Sequence, residues 1–428
     1  MSITSPEAGP EARVRSYAAL LATLALLVAP TLTACTGDPA RDTEPGDTPT
    51  AEVIPQMERV LRQRARALRK QDEEAFMATV DDAEQKFVDR ERVYYANLSQ
   101  LPIATLAYQV DASTLVRTAG GYDAVIDVQL QLDGYDAMPV VRPARFHFTR
   151  QDGGAGLLIA SDRDRSWEQR NEVDVQPWDS RAISVIDNDG VLGIFDRQSI
   201  NEAGAVIRAV QEGIGQVGEA VPYEWDGHVV VYALSDTDLL EGLDDLPAQD
   251  PDALDAVSFP VPAELDGEQD APLAGTRFLL HPRMLDSDPQ QLARLIRHEL
   301  THVALGSLDD DVPTWLGEGI AEWVSVQPLP EDRRLISQAA IDVARAGLDE
   351  LPPDLDYNDE DQAAHYGISW WACEAIVDMY GEPMLWQLLD DLAAVDPGDQ
   401  DDELQQTLQM GSAQLAREAA KRIVATYG

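Results

Sequence analysis

The chain has 428 residues, 44% of them hydrophobic, which is material for two or three domains and too apolar for a disordered chain. Its formal charge of −45, from 77 acidic against 32 basic residues, excludes nucleic acid as a partner, because such affinity comes largely from Lys and Arg on phosphates. Two cysteines, Cys35 and Cys373, exclude a disulfide framework.

Arg13 and Arg15 precede a short apolar run from Tyr17 to Val28, which suits a signal-peptide core rather than a membrane span. Leu32-Thr33-Ala34-Cys35 follows and resembles the bacterial lipobox, so residues 1–35 read as a lipoprotein signal peptide. That resemblance implies a lipid on Cys35 and a location on the extracytoplasmic face of the cell membrane. Residues 36–50, rich in Gly, Pro, Asp and Thr, read as a flexible tether.

Residues 51–175 read as a first α+β domain. Helical spacing runs through Met57 to Val80 and again through Ala83 to Leu98. The period then changes to two in Ala124–Leu132 and Ala144–Phe148, and a third run follows Gly153-Gly154. Helices followed by a meander of strands resemble the cone-shaped nuclear-transport-factor-like fold, which implies a binding or spacer module. His147 alternates with aromatics and reads as a packed strand histidine, since no second ligand stands at metal spacing.

Residues 180–428 read as a second domain, with a small mixed sheet and a helical C-terminal part. Ile183–Ile186, His228–Ala233 and Thr276–His281 are strand-like, and Ala203–Val217 is helical. From Gln211 to Thr276 there is no Lys or Arg, and the acidic stretch after Ala233 reads as loop. Asp288, Pro289 and Gln291 then provide helix-start signals and Gly306 a stop. On that helix lies His298-Glu299-Leu300-Thr301-His302. Histidines four apart project from one face, so both imidazoles can reach one zinc ion, with Glu299 beside them as a base for an attacking water.

Trp315-Leu316-Gly317-Glu318-Gly319 through Glu322-Trp323 follows, and the two segments together resemble the gluzincin metallopeptidases. The resemblance implies His298, His302 and Glu318 as ligands to one zinc per chain, Glu299 as general base, and Glu322 bonding a ligand histidine's free N–H. Glu322 competes with Glu318 as third ligand; Asp309 stands one residue too late for the metzincin pattern. Gluzincins also carry an oxyanion donor, for which Tyr366, then His365, is the candidate. The aminopeptidase Gly-x-Met-x-Asn segment is absent from the sequence, so an endopeptidase acting on peptides or proteins is expected, the Thr276–His281 strand accepting substrate along its edge. The alternative is a non-catalytic, zinc-containing lipoprotein that binds a peptide or partner. Cys373 reads as a small core residue.

Overall fold

The computed structural model describes residues 50–151, 156–242, 254–264, 272–355 and 357–428. The signal segment, Cys35 and residues 36–49 of the tether lie outside the described residues, as do Gly153-Gly154 and much of the acidic stretch. The architecture is α+β: helices with an antiparallel curled sheet, then a mixed five-stranded sheet, then a helical C-terminal region. No helix among the described residues is long and apolar enough to cross a membrane.

Three helices come first: α1 (Thr50–Arg69), α2 (Glu73–Met77) and α3 (Gln85–Leu98). The helical spacing expected to run on to Val80 is broken between α1 and α2, where Gln71 takes a positive φ of 53° and Asp72 caps α2 through the Ala75 N–H. Strands β1 (Ile103–Val110), β2 (Val116–Arg117), β3 (Gly121–Leu132), β4 (Val140–Arg150) and β5 (Leu157–Ser161) form the first sheet, ordered β1-β3-β4-β5 with β2 beside β3. The alternation in the sequence decides its faces: Tyr122, Ala124, Ile126, Phe146 and Phe148 turn inward onto Val53, Met57 and Leu61 of α1. His147 points the other way and is paired, its Nδ1 lying 2.6 Å from Asp123.

Short helices α4 (Arg165–Arg170) and α5 (Pro177–Ser180) lead to the second sheet. It comprises β6 (Ile183–Asn188), β7 (Val191–Asp196), β8 (Val229–Ala233), β9 (Ala256–Pro262) and β10 (Leu273–Leu280), in the order β6-β7-β8-β10-β9. The central β7, β8 and β10 run parallel, with helix α6 (Ala203–Ala220) as the crossover from β7 to β8. Both faces of this sheet are covered, which is why β8 is an unbroken apolar run rather than an alternating one. Leu192, Ile194, Val230, Tyr232 and Leu279 pack toward the first sheet's elements, and Phe195, Val229, Val231, Phe278 and Leu280 pack toward the helices.

Two expectations need correction. The stretch read as acidic loop contains β9, which its composition hid. Because β9 pairs with β10 on one side and β8 pairs with it on the other, β10 is interior and its backbone is engaged on both edges. The Thr276–His281 strand therefore cannot receive an added strand; among the described residues the edge strand is β9, whose end is bonded to β4 through the Val141 N–H and the Ala263 carbonyl at 2.7 Å.

The remainder is helical: α7 (Pro289–Leu305), α8 (Ser307–Asp310), α9 (Thr314–Val326), α10 (Gln338–Ala346), α11 (Gln362–Tyr380), α12 (Glu382–Ala393), α13 (Gln400–Leu408) and α14 (Ser412–Tyr427). Cys373 is fully buried in this core, where burial pushes its thiol well up.

Candidate metal centre

Helix α7 begins where the sequence signals it. Asp288 accepts the Gln290 N–H and Pro289 fills the first position, where a missing donor costs nothing. Leu292, Ile296 and Leu300 form its buried stripe, and Gly306 ends it at φ 57°. The stripe fixes the helix rotation, and with it the outlook of His298, Glu299 and His302 on the last turns.

Helix α9 is held against α7 and α11 by its two glycines. A Cβ on Gly319 would stand 2.6 Å from the Ser369 carbonyl of α11 and 2.8 Å from Cys373 Sγ. A Cβ on Gly317 would stand 2.5 Å from Asp309 Oδ1. Glycine at both positions thus lets α9 approach α11 on one side and Asp309 on the other, carrying Glu318 between the two histidines.

His298 Nε2, His302 Nε2 and a Glu318 carboxylate oxygen converge, and among the described residues this is the group that can hold a metal ion. The two Nε2 atoms are 3.2 Å apart; Glu318 Oε2 lies 3.1 Å from the first and 3.5 Å from the second. Ligands at about 2.0–2.1 Å from a tetrahedral zinc are separated by roughly 3.3 Å, so the three distances match the edges of such a site. Glu318 Oε2 is buried and has no hydrogen-bond partner of its own, as an atom awaiting a cation would be. The donor set, two imidazoles and one carboxylate with no cysteine, is that of open rather than structural sites.

Behind each histidine stands an acid. Asp309 Oδ2 is 2.7 Å from His302 Nδ1, and Glu322 Oε1 is 3.4 Å from His298 Nδ1 while also paired with Arg294. Both acids lie on the Nδ1 side and leave Nε2 facing the centre; Asp309 fixes the His302 ring by a hydrogen bond, whereas Glu322 acts on His298 through charge at 3.4 Å and leaves its Nδ1 without a hydrogen-bond partner. Glu322 therefore does not join the two Nε2 atoms; Glu318 does. The sequence reading missed Asp309 in this part. Its signal was an acid three residues beyond the helix-ending Gly306, with Gly317 clearing the space.

The electrostatics follow. Burial opposes charge on His298, but Glu318 and Glu322 outweigh it and lift the imidazole to about 9. Burial works against Glu322 too, yet Arg294 and His298 hold its carboxyl down at about 2. Glu318 is likewise kept far below the usual carboxylate range by His302 and His298, against its burial. In the metal-free chain the carboxylate charge is balanced by imidazole protons; a divalent cation bound there would take their place and release them.

Glu299 lies just outside the three-atom group. It is buried, and its Oε2 accepts from Ser258 Oγ on β9 at 2.7 Å, a contact with no sequence signal because it joins residues 41 apart. Tyr366, at the start of the second turn of α11, places its hydroxyl 3.5 Å from Glu318 Oε1 and 3.2 Å from Asn358 Oδ1. His365 turns away and is bound through Nδ1 to the Tyr357 carbonyl at 2.7 Å. A cleft of about 340 Å³ opens before His298, Glu299 and Tyr366, with Ala256, Met284 and Leu295 among its apolar walls. No protein-family model matches the chain, and no curated protein matches it.

Proposed function

We propose that this chain is a zinc-dependent peptidase of gluzincin type, acting as an endopeptidase and anchored outside the cytoplasm through a lipid on Cys35. One observation carries the reading: a buried carboxylate, Glu299, stands beside a three-donor group without being part of it, held by Ser258. A purely structural site needs no such group.

His298, His302 and Glu318 would hold the ion. Bound there, zinc would supply Lewis acidity, polarising the scissile carbonyl and lowering the pKa of water toward neutrality. Glu299 takes the proton from the attacking water at a carboxylate oxygen and returns it to the departing amine. Ser258 donates to Oε2 and so keeps the other oxygen aimed into the cleft. The Tyr366 hydroxyl, already against Glu318, donates to the carbonyl oxygen as negative charge develops on it. The edge of β9 binds an extended substrate by strand addition, and the apolar cleft walls receive one side chain.

The test is the zinc content of the purified chain together with cleavage of a diverse peptide library by the portion beginning after Cys35. About one zinc per chain and metal-dependent hydrolysis support the reading. Peptide binding through zinc with no cleavage would refute it and leave the non-catalytic binding lipoprotein in its place.

A further inference from the structure

A second cavity, of about 100 Å³, lies away from the metal centre where β3 and β4 of the first sheet meet β9 and β10 of the second, with residues 162–179 along another side. Val128, Leu130, Ala144, Phe146 and Val261 give it an apolar wall. Most charges on its lining are already paired: Arg277 with Asp136, Arg163 with Glu168 at 2.7 Å, and Arg90 with Asp162 at 3.1 Å.

Two lining groups are not matched in this way. The buried Nε of Arg142 has no hydrogen-bond partner, a costly condition for a cationic donor. Asp179 uses Oδ2 to accept the Gln176 N–H at 3.1 Å at the start of α5, a single backbone bond for a carboxylate. The two sense each other. Burial lowers the Arg142 guanidinium below its usual range, with Asp179 among the groups pulling it back; burial lifts the Asp179 carboxyl to about 6, with Arg142 the first group opposing.

We propose that this cavity binds a small free amino acid, its carboxylate on Arg142, its ammonium on Asp179 and its apolar side chain against the Phe146 wall. The cavity is small, about 100 Å³, which suits a ligand of amino-acid size. A phosphate dianion is disfavoured because, among the described lining residues, Arg277, Arg163 and Arg90 are already ion-paired, which leaves Arg142 alone to balance two negative charges. A simple carboxylate leaves Asp179 unmet, and a simple amine leaves Arg142 unmet. The site is independent of the proposed peptidase reaction and stands or falls separately.

The experiment is titration calorimetry on the folded chain with L-alanine, and with propionate and ethylamine as its two halves. L-Alanine is expected to bind, and each half at least tenfold more weakly. Arg142→Gln and Asp179→Asn should each weaken L-alanine at least tenfold with unchanged zinc content; Asn keeps the oxygen that caps α5. Should Arg142→Gln fail to fold, Asp179→Asn alone decides. No binding of L-alanine, equal binding of propionate, or full affinity in a folded variant would each overturn the assignment.

Discussion

Asp309→Ala isolates the orientation of one ligand from its identity. The substitution removes the acceptor 2.7 Å from His302 Nδ1 and leaves His298, His302 and Glu318 intact. Loss of such a partner typically weakens metal binding 10- to 100-fold, about 1.4–2.7 kcal/mol. The upper half of that range is expected here, because the contact is short and involves a carboxylate. The corresponding change at the other histidine, Glu322→Ala, should cost less metal affinity, since its 3.4 Å separation is longer and its carboxylate is shared with Arg294. The metal-free fold should also lose stability with Asp309→Ala, because the buried His302 imidazole loses the carboxylate 2.7 Å from Nδ1; removal of the unpartnered Oδ1 offsets only part of that cost. Asp309→Asn, which retains an oxygen acceptor, should recover part of the loss. The assay is competition for zinc with a chromogenic chelator, alongside thermal unfolding of the metal-free chain. Unchanged affinity in Asp309→Ala, or a larger loss in Glu322→Ala, would refute the argument that the shorter contact governs ligand orientation.

Further outcomes follow from the same geometry. Glu299→Gln should leave zinc content near wild type and lower peptide hydrolysis about 10²-fold or more, whereas Glu318→Gln should lower zinc content itself; elemental analysis beside a cleavage assay separates the two. Ser258→Ala should slow hydrolysis without loss of metal, since it frees Glu299 Oε2 but touches none of the three ligand atoms; lost zinc in that variant would contradict the placement. The proposed lipid on Cys35, which rests on the sequence alone, predicts that Cys35→Ser moves the chain from the membrane to the soluble fraction; an unchanged distribution would overturn it. Asp196 is held down at about 2: burial opposes this, but hydrogen bonds from Ser235, Ser199 and Gln198 prevail. A depressed folded pKa stabilises above the unfolded value near 3.8 and is lost as pH falls toward 2. The thermal midpoint of Asp196→Asn should therefore lie below wild type at pH 6 and converge with it between pH 4 and 2; a constant gap would show that its charge is not what stabilises.

What the sequence determined by itself was local. Asp288, Pro289 and Gly306 bound α7 because caps act within one turn, and the alternation at Tyr122, Ala124 and Ile126 chose the inner face of β3 because strand side chains repeat every two residues. The four-residue spacing put His298 and His302 on one face for the same reason. Only the tertiary structure decided what depends on residues far apart in the chain. Strand order is one such property: nothing local marks β10 as interior or reveals β9 within an acidic stretch, and together these make β9 the edge strand among the described residues. The acid behind His302 is another, since Asp309 reaches it only because the chain reverses at Gly306 and Gly317 leaves room. The choice of Glu318 over Glu322 came from the packing of α9 on α11 at Gly319, which sets the rotation of the helix. The Ser258 bond to Glu299, spanning 41 residues, exists only because β9 lies over α7.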